Sequence, residues 1–370
     1  MAPNPETRDS LEAGRYAVGN DIYIPISHFK INLQRATSIA IRGVYSTDPF
    51  VLTKVEIIPS IPPGVGIPPK LPSGTLVFAC TRPNSFAFGI DDGNPKYAAR
   101  LAQIIRDAGI KVTFFAVGAV LENPSTGMAS FYQQLKDEGH QIALHSYSHP
   151  RMEGLPSIDS IDWEYTENYR VMSSTFGERS TYFRPPFGVE GARMRQRWAA
   201  ASGSDKAYII NWSVDVQDWL WAETGTPEKQ VDAFKSDVAK GGNLVVMHFS
   251  YNSTVNYFPE FIRQAKAAGK QIMRVDQCME DPNAIGNQEI LGGEGPETLV
   301  EHARGVSCDQ KMSVTPRECI RIHVEVGGSM QGALFGLGLS LRQALSMGNM
   351  NGGPERQWHV HFPVSYHFLV

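Results

Sequence analysis

The stretch FAFGIDDGNP, from Phe86 to Pro95, decides how the chain around it is interpreted. The stretch begins with an apolar run that predicts a buried strand. This run ends in the adjacent carboxylates of Asp91 and Asp92, and Gly93 follows them. Two like charges in contact repel each other, and burial strengthens that repulsion. We therefore expect either a metal ion beside the pair or, as the simpler alternative, a turn exposed to solvent.

Outward from this stretch, apolar strand patterns alternate with amphipathic helix patterns. The predicted strands are Ser85–Asp91, Lys111–Val117, Gln141–His145, Tyr182–Arg184, Ala207–Val214, Asn243–His248 and Gln271–Arg274. The predicted helices are Pro95–Ala108, Gly127–Glu138, Ile158–Phe176, Glu190–Ala201, Pro227–Lys240 and Pro259–Ala268. Repeated β-α units imply a parallel sheet with helices outside it. About seven units in roughly two hundred residues suit an α/β barrel one unit short of eight.

Composition changes at the two ends of this alternating region divide the chain into four segments. Residues 1–58 contain three strand patterns, Asp21–Ile26, Ser38–Tyr45 and Leu52–Ile58, which we interpret as a fragment of a carbohydrate-binding β-sandwich. Residues 59–74 are rich in Pro and Gly and predict a semi-rigid linker. The barrel then covers residues 75–283, and the Gly-rich residues 284–370 predict an irregular C-terminal extension whose role the sequence does not indicate.

Charge and hydropathy exclude several classes of protein. The 370 residues carry a net charge of -4 and no block of Lys and Arg, which argues against a nucleic-acid partner. No apolar run reaches the roughly twenty residues that a membrane-spanning helix needs. The opening residues MAPNPETRDS lack the apolar core of a signal peptide. We expect a monomer.

Unusual polar residues recur where the predicted strands end. The motifs are the Asp91–Asp92 pair, HSYSHP with His145 and His149, RPPFG with Arg184, DVQDW with Asp215, Asp218 and Trp219, and VVMHF with His248. Each motif alone is common in ordinary turns and cores. Together they lie at the carboxyl ends of barrel strands, where the chemistry of parallel barrels takes place. The set therefore predicts a catalytic site.

The order and spacing of these five motifs resemble the polysaccharide deacetylase family, the NodB-like domains of carbohydrate esterase family 4, and especially its fungal branch with the chitin deacetylases. The resemblance covers Cys80 to about Asn283. It implies a distorted (β/α)7 barrel of the glycoside hydrolase/deacetylase type and metal-dependent hydrolysis of N-acetyl groups on chitin or chito-oligosaccharides. Acetylated xylan or peptidoglycan is an alternative substrate. The alternative that is not an active enzyme is a catalytically impaired relative that binds polysaccharide.

Three residues form the expected metal site. By resemblance Asp92 is a metal ligand, and together with His145 and His149 it offers two nitrogens and one oxygen. That set suits Zn²⁺, with Co²⁺, Ni²⁺ and Fe²⁺ as alternatives.

The resemblance also implies the catalytic roles. Asp91 is expected to act as the base, Arg184 to orient Asp91, His248 to act as the acid, and Asp215 to hold and charge His248. The expected substrate-binding residues are Phe187, whose backbone N–H would stabilise an oxyanion, Trp219 and Val246, which would form the acetyl pocket, and Tyr147 in a sugar-binding groove. Trp221, Tyr251 and Tyr257 are further candidates for that groove.

The first motif departs from the family's usual Thr-Phe-Asp-Asp-Gly-Pro. Gly89 stands in place of Thr, Ile90 in place of Phe, and Asn94 is inserted before the proline. We therefore expect an altered path for the loop that aims the two carboxylates. Cys80 and Cys278 flank the barrel, and the resemblance to fungal members implies a disulfide between them and a secreted or cell-wall location, although the first residues carry no signal peptide.

Overall fold

A computed structural model describes residues 8–29, 36–42, 50–204, 206–284, 318–326, 338–343 and 359–361. Five strands precede the linker: β1 (Arg8–Glu12), β2 (Ala17–Val18), β3 (Asp21–Pro25), β4 (Ala36–Arg42) and β5 (Phe50–Ile58). Residues 59–74 contain neither helix nor strand. Among the described residues, no helix combines the length and the apolar character that crossing a membrane requires.

The middle of the chain alternates strands and helices as the sequence predicts. Its strands are β6 (Thr75–Val77), β7 (Ser85–Asp91), β8 (Thr113–Ala116), β9 (Gln141–Leu144), β10 (Tyr182–Phe183), β11 (Tyr208–Ile210), β12 (Val214–Asp215), β13 (Leu244–His248) and β14 (Gln271–Ile272). Its helices are α1 (Pro95–Ala108), α2 (Gly118–Glu122), α3 (Met128–Asp137), α4 (Ile158–Phe176), α5 (Ala192–Ser202), α6 (Asp218–Trp221), α7 (Lys229–Ala239), α8 (Asn252–Ala267) and α9 (Val275–Cys278). Three strands follow: β15 (Cys319–Val326), β16 (Gly338–Gln343) and β17 (His359–His361).

Helix α8 is the clearest difference between predicted and observed helix boundaries. The sequence places its start at Pro259, because proline favours the first turn of a helix. The helix instead begins at Asn252, and Pro259 lies inside it. Val255, Phe258 and Phe261 are all buried on one face, so packing of this face outweighs the cost of an internal proline.

The central sheet is parallel throughout and follows the order β12-β13-β7-β8-β9-β10-β11-β6, with β14 also paired to β7. One buried cluster collects side chains from widely separated strands, including Val77 on β6, Ala87 on β7, Phe115 on β8 and Ile210 on β11. Strands that are distant in the sheet can share one core only if the sheet curls around it. The predicted distorted (β/α)7 barrel is therefore confirmed.

A second core fills the space between the sheet and the helices. Phe86 and Phe88 of β7 point outward to Phe234 of α7 and Phe258 of α8, with ring centroids 5.1–6.1 Å apart in the contacting pairs. The two cores fix strand β7 from both faces, since all seven of its residues are buried. Asp91, its last residue, is consequently held in a fixed position.

Cys80 and Cys278 form a disulfide across a sequence separation of 198 residues, with their Cα atoms 5.1 Å apart. The pairing implied by the resemblance is confirmed. It joins the segment before β7 to the helix α9 after β14, and these two segments lie together because β14 pairs with β7.

The first and last segments of the chain combine into a two-sheet unit. Strand β15 pairs antiparallel with both β3 and β5, and β16 pairs antiparallel with both β1 and β4. Leu11, Ile22, Ile41 and Ile322 share one buried cluster between the sheets. The sequence patterns treated residues 1–58 and 284–370 as separate pieces, because strand partners about three hundred residues apart leave no local signal.

Candidate functional site

The carboxyl ends of β7, β9, β10, β12 and β13 surround a cavity of about 470 Å³. The side chains that line it are Asp91, Asp92, His145, His149, Arg151, Phe187, Trp212, Asp215, Trp219, Val246, His248, Ser250 and Tyr251, with Gly188 between them. All five sequence motifs that predict a catalytic site contribute to this lining.

The three predicted metal ligands converge. Asp92 Oδ1 lies 3.5 Å from His145 Nε2 and 3.3 Å from His149 Nε2. One potential ligand atom from each residue falls within 4.8 Å of the others. The loop after β9 makes this possible, because Ser146 and His149 both adopt left-handed backbone conformations, with φ of 64°, which bring the second histidine back towards the first.

The protonation state of His145 suits a metal ligand. Its Nδ1–H donates to the carbonyl of Arg184 at 2.7 Å, which leaves the Nε2 lone pair directed at Asp92. Burial lowers the pKa of His145 to about 3, although the charge of Asp92 opposes this effect. The ring is therefore neutral at physiological pH.

Asp92 provides the test of whether a cation fits. Its Oδ1 is buried, and it accepts no hydrogen bond within the part of the chain that the structure describes. The main chain of Asp92 is held, since Tyr132 Oη donates to its carbonyl at 2.6 Å. A buried carboxylate oxygen without a partner is costly. A divalent cation bound also by the two histidines would satisfy it, so these residues fit such an ion.

Glu164 of α4 holds the loop that carries His149. Its buried carboxylate accepts the backbone N–H of Tyr147 at 2.9 Å and that of Ser148 at 2.8 Å, and also the hydroxyl of Ser148. His149 N–H donates to Ser146 Oγ at 3.0 Å. This contact was not predictable from the sequence, because Glu164 lies well outside the HSYSHP motif.

Asp91 is paired with Arg184, as the resemblance implies. Arg184 Nη1 donates to Asp91 Oδ1 at 2.6 Å, while its Nε and Nη2 donate to the carbonyls of Ile210 and Val245. The guanidinium is fully buried and lies 4.2 Å from the ring centroid of Phe115. Burial raises the pKa of Asp91, and the charge of Arg184 opposes that rise.

The partner of His248 corrects the sequence prediction. Asp218, not Asp215, accepts from His248 Nδ1–H at 2.8 Å and from the His248 backbone N–H at 2.7 Å. Asp215 instead accepts from the backbone N–H of Gln217 at 2.7 Å and from Trp219 Nε1 at 3.4 Å. Gln217 has a left-handed φ of 55°, and this turn starts α6 with Asp218 beside β13.

The pKa of His248 follows from this pairing. Burial lowers it, but the charge and hydrogen bond of Asp218, together with the charges of Asp91 and Asp92, raise it to about 10. His248 is therefore a cation at neutral pH whose Nδ1–H is committed to Asp218.

The substrate-binding candidates divide into two groups. Phe187, Trp219, Val246 and Tyr251 line the cavity. Tyr147 does not, because its hydroxyl donates to Glu122 at 2.6 Å and its ring packs against Trp163. Trp221 and Tyr257 are likewise absent from the lining.

Sequence reasoning missed Arg151, Trp212 and Ser250. Arg151 directly follows the HSYSHP motif, and its guanidinium lies 4.4 Å from the ring centroid of Phe187. Phe187 in turn packs edge-on against His149, with 4.8 Å between the ring centroids. Arg151 and Ser250 each directly follow a predicted motif, and that position was the signal available for them.

Comparisons with known proteins point to one family. The family model described as polysaccharide deacetylase matches residues 79–202. A chitin deacetylase from Pestalotiopsis sp. is 30% identical over 252 residues, which are 65% of this chain and 82% of that protein. A probable peptidoglycan-N-acetylglucosamine deacetylase from Arthroderma benhamiae is 29% identical over 219 residues, which are 58% of this chain and 48% of that protein. The chain thus spans most of the first relative and about half of the second.

The fold also has a counterpart among solved structures. The chitin deacetylase from the fungal pathogen Colletotrichum lindemuthianum superposes with a TM-score of 0.51 and 21% identity, over 58% of this chain and 95% of that chain. At this level of identity the likeness concerns the barrel fold alone.

Proposed function

Since the chain belongs to the polysaccharide deacetylase family, we propose that it is a metal-dependent hydrolase that removes N-acetyl groups from chitin or chito-oligosaccharides. The single observation that carries the proposal is the convergence of Asp92, His145 and His149 in one cavity with two further ionisable pairs, Asp91–Arg184 and Asp218–His248. A closed structural metal site would not need these acid and base groups.

Asp92, His145 and His149 would hold the cation, with Zn²⁺ as the first candidate and Co²⁺ as the second. When bound, a divalent cation of this kind supplies Lewis acidity, which makes water a stronger nucleophile and polarises the acetyl carbonyl. The neutral state of His145 and the unpartnered Oδ1 of Asp92 support this assignment.

Asp91 is the proposed general base. Water adds to the acetyl carbonyl carbon while the Asp91 carboxylate takes a proton from that water. Arg184 holds Asp91 Oδ1 at 2.6 Å and fixes the direction of the carboxylate, so the other oxygen remains for the proton transfer. Burial of both groups keeps this geometry rigid.

His248 is the proposed general acid. As the C–N bond breaks, His248 donates a proton from Nε2 to the departing nitrogen, and the products are acetate and a free amine on the sugar. Asp218 keeps Nδ1–H engaged, so that Nε2 is the nitrogen left to donate. The same carboxylate keeps the ring protonated before the reaction.

Three residues are proposed to bind the acetyl group. The backbone N–H of Phe187 would donate to the oxyanion that forms on the acetyl oxygen. Trp219 and Val246 line the same cavity and offer an apolar surface for the methyl group. Phe187 and Trp219 are exposed by 55% and 61%, so substrate can reach both.

Chitin is the proposed substrate because the relative from Pestalotiopsis sp., of whose length the match covers 82%, is described as a chitin deacetylase. Peptidoglycan remains the second candidate, supported by the relative described as acting on it. The Cys80–Cys278 disulfide supports a location outside the reducing cytosol, and we propose secretion or attachment to the cell wall.

The test is acetate release from N-acetylated chitin hexamer by protein loaded with Zn²⁺. A sample stripped with EDTA serves as the control, and zinc is then restored to that sample. Metal-dependent release supports the proposal, and parallel assays with peptidoglycan and acetylated xylan rank the substrates. If zinc and hexamer both bind but no acetate appears, the chain is a catalytically impaired polysaccharide-binding relative.

A further inference from the structure

Exposed apolar side chains are distributed unevenly over the barrel. Among its described residues, the large apolar side chains with high exposure are Trp163, Phe187, Trp219 and Leu220. All four follow the carboxyl ends of strands, in the loops or helices after β9, β10 and β12. Phe187 and Trp219 line the catalytic cavity, whereas Trp163 and Leu220 lie outside its lining, and Leu220 directly follows Trp219 in the chain. The cavity thus accounts for part of this apolar face but not for Trp163.

Trp163 forms a pair with Tyr147. Their ring centroids are 5.0 Å apart and the rings are nearly perpendicular, at 81°. Trp163 remains 49% exposed, so the contact with Tyr147 covers only part of the indole. Tyr147 lies between His145 and His149 in the chain, which places the pair at the rim of the catalytic face.

The tyrosine of the pair is rigidly held. Tyr147 is fixed at both ends, since its backbone N–H donates to Glu164 at 2.9 Å and its hydroxyl donates to Glu122 at 2.6 Å. Its ring packs closely on Gly118 of α2, where an added Cβ would approach Tyr147 Cδ2 to 2.8 Å. An aromatic surface that is ordered before binding loses little conformational entropy when a ligand covers it.

Polar groups border the aromatic pair. Arg170 donates to Glu122 at 2.7 Å and to Glu167 at 2.7 Å, and Glu122 is the acceptor of the Tyr147 hydroxyl. A pyranose ring has an apolar C–H face and an edge of hydroxyl groups. An exposed indole, packed on a tyrosine whose hydroxyl is bonded to a carboxylate–guanidinium pair, offers groups for both parts of such a ring.

We propose that Trp163 and Tyr147 form a second sugar-binding site, outside the catalytic cavity, for a more distant residue of a β-linked N-acetylglucosamine chain. The proposal rests on the proposed function for the choice of glycan. It predicts a preference for longer chains, because a hexamer held in the cavity has further sugar residues that can reach a second site, whereas a dimer has at most one.

The test compares Trp163→Ala with wild type on N-acetylated chito-oligosaccharides from dimer to hexamer. We expect KM for the hexamer to rise on the order of tenfold with kcat nearly unchanged, and the dimer to show no difference. Trp163→Phe should recover most of the loss, because it keeps an aromatic face. Val51→Ala, which shortens an exposed apolar side chain on β5 outside the barrel sheet, serves as the control for a general effect of removing surface apolar area.

Equal losses on dimer and hexamer, or no loss on either, would overturn the proposal. Calorimetric binding of hexamer to metal-free protein separates it from the proposed function. If hexamer binding weakens about tenfold in Trp163→Ala while wild type releases no acetate, the proposal of a second sugar-binding site is supported and the proposed deacetylase function is refuted. If wild type releases acetate and Trp163→Ala binds and reacts like it, the second site alone fails. A wild-type dimer that Trp163→Ala converts to a monomer would show that a second copy covers this face, and it would also overturn the proposal.

Discussion

Replacing Asp218 with Asn should lower the pKa of His248, so that at alkaline pH the ring is neutral and no longer acts as the acid. The substitution keeps the size of the side chain and removes the charge that faces His248 Nδ1 at 2.8 Å. Asp218 is only 1% exposed, so solvent does not screen that charge. Asp215→Asn is the matched control, because the same change is made three residues earlier in the same motif.

The magnitude follows from what raises the pKa of His248. Burial lowers that pKa, and Asp218 is the largest of the influences that bring it to about 10. Without the charge of Asp218, we expect the pKa to fall to about the ordinary value of 6.5, because the charges of Asp91 and Asp92 still oppose the effect of burial. At pH 8 a histidine with a pKa of 6.5 is only about 3% protonated. If His248 must carry a proton to act, kcat/KM at pH 8 should fall roughly 30-fold.

Two measurements check this expectation. The first is the pH profile of kcat/KM on chitin hexamer between pH 5.5 and 9, in which Asp218→Asn should lose activity progressively as pH rises. At pH 6 the loss should be less than about twofold, because most of the histidine is still protonated. The second is NMR titration of His248 in metal-free protein, which reports the pKa without any contribution from a bound cation.

The reasoning would be refuted by a specific pattern of results. If Asp215→Asn lowered the pKa of His248 more than Asp218→Asn did, Asp215 would be the main partner of His248 in solution, as the sequence predicts, and the pairing with Asp218 would be refuted. If both variants kept the wild-type pH profile while NMR showed the expected fall in pKa, His248 would not be the acid.

Three further changes test other parts of the structure. Asp92→Ala should lose its bound zinc on dialysis, and full metal content by elemental analysis would remove Asp92 from the ligand set. Glu153 is buried, and burial raises its pKa to about 7 although two backbone N–H groups at the start of α5 oppose this. The folded protein therefore binds this proton more tightly than the unfolded chain, and the free energy of unfolding should decrease as pH rises from about 4.5 to 7, by up to roughly 3 kcal/mol. In Glu153→Gln this part of the pH dependence should be absent from urea unfolding curves measured at pH 5 and pH 7.5. Cys80→Ser removes the disulfide and should lower stability by about 2–5 kcal/mol without changing metal content, and an unchanged melting temperature would contradict this.

The barrel was predictable because its signals are local. Strand β7 and helix α1 have the boundaries that the sequence predicts, since an apolar run, a proline at the first helical position and an apolar stripe lie close together in the chain. The convergence of His145 and His149 was equally accessible, because both histidines belong to one short motif.

What the sequence could not predict depends on backbone turns or on distant partners. DVQDW offers two carboxylates, and only the left-handed turn at Gln217 decides that Asp218 reaches His248. Tyr147 has the position in the sequence that is expected of a groove residue, but its hydroxyl donates to Glu122, the last residue of helix α2. The pairing of β15 with β3 and β5 joins parts of the chain too far apart for any local pattern to report.

Two of the three departures of the first motif from its family, Gly89 and Asn94, have structural explanations that favour an intact site. A Cβ at residue 89 would overlap the guanidinium of Arg184, so Gly89 makes room for the group that holds Asp91. The inserted Asn94 caps α1, because its Oδ1 accepts the backbone N–H of Lys96 at 3.0 Å and Pro95 occupies the first helical position. Both changes stabilise the elements on either side of the Asp91–Asp92 pair. The altered sequence therefore leaves the two carboxylates at the end of a fully buried strand and directly before a well-capped helix, where the proposed chemistry requires them.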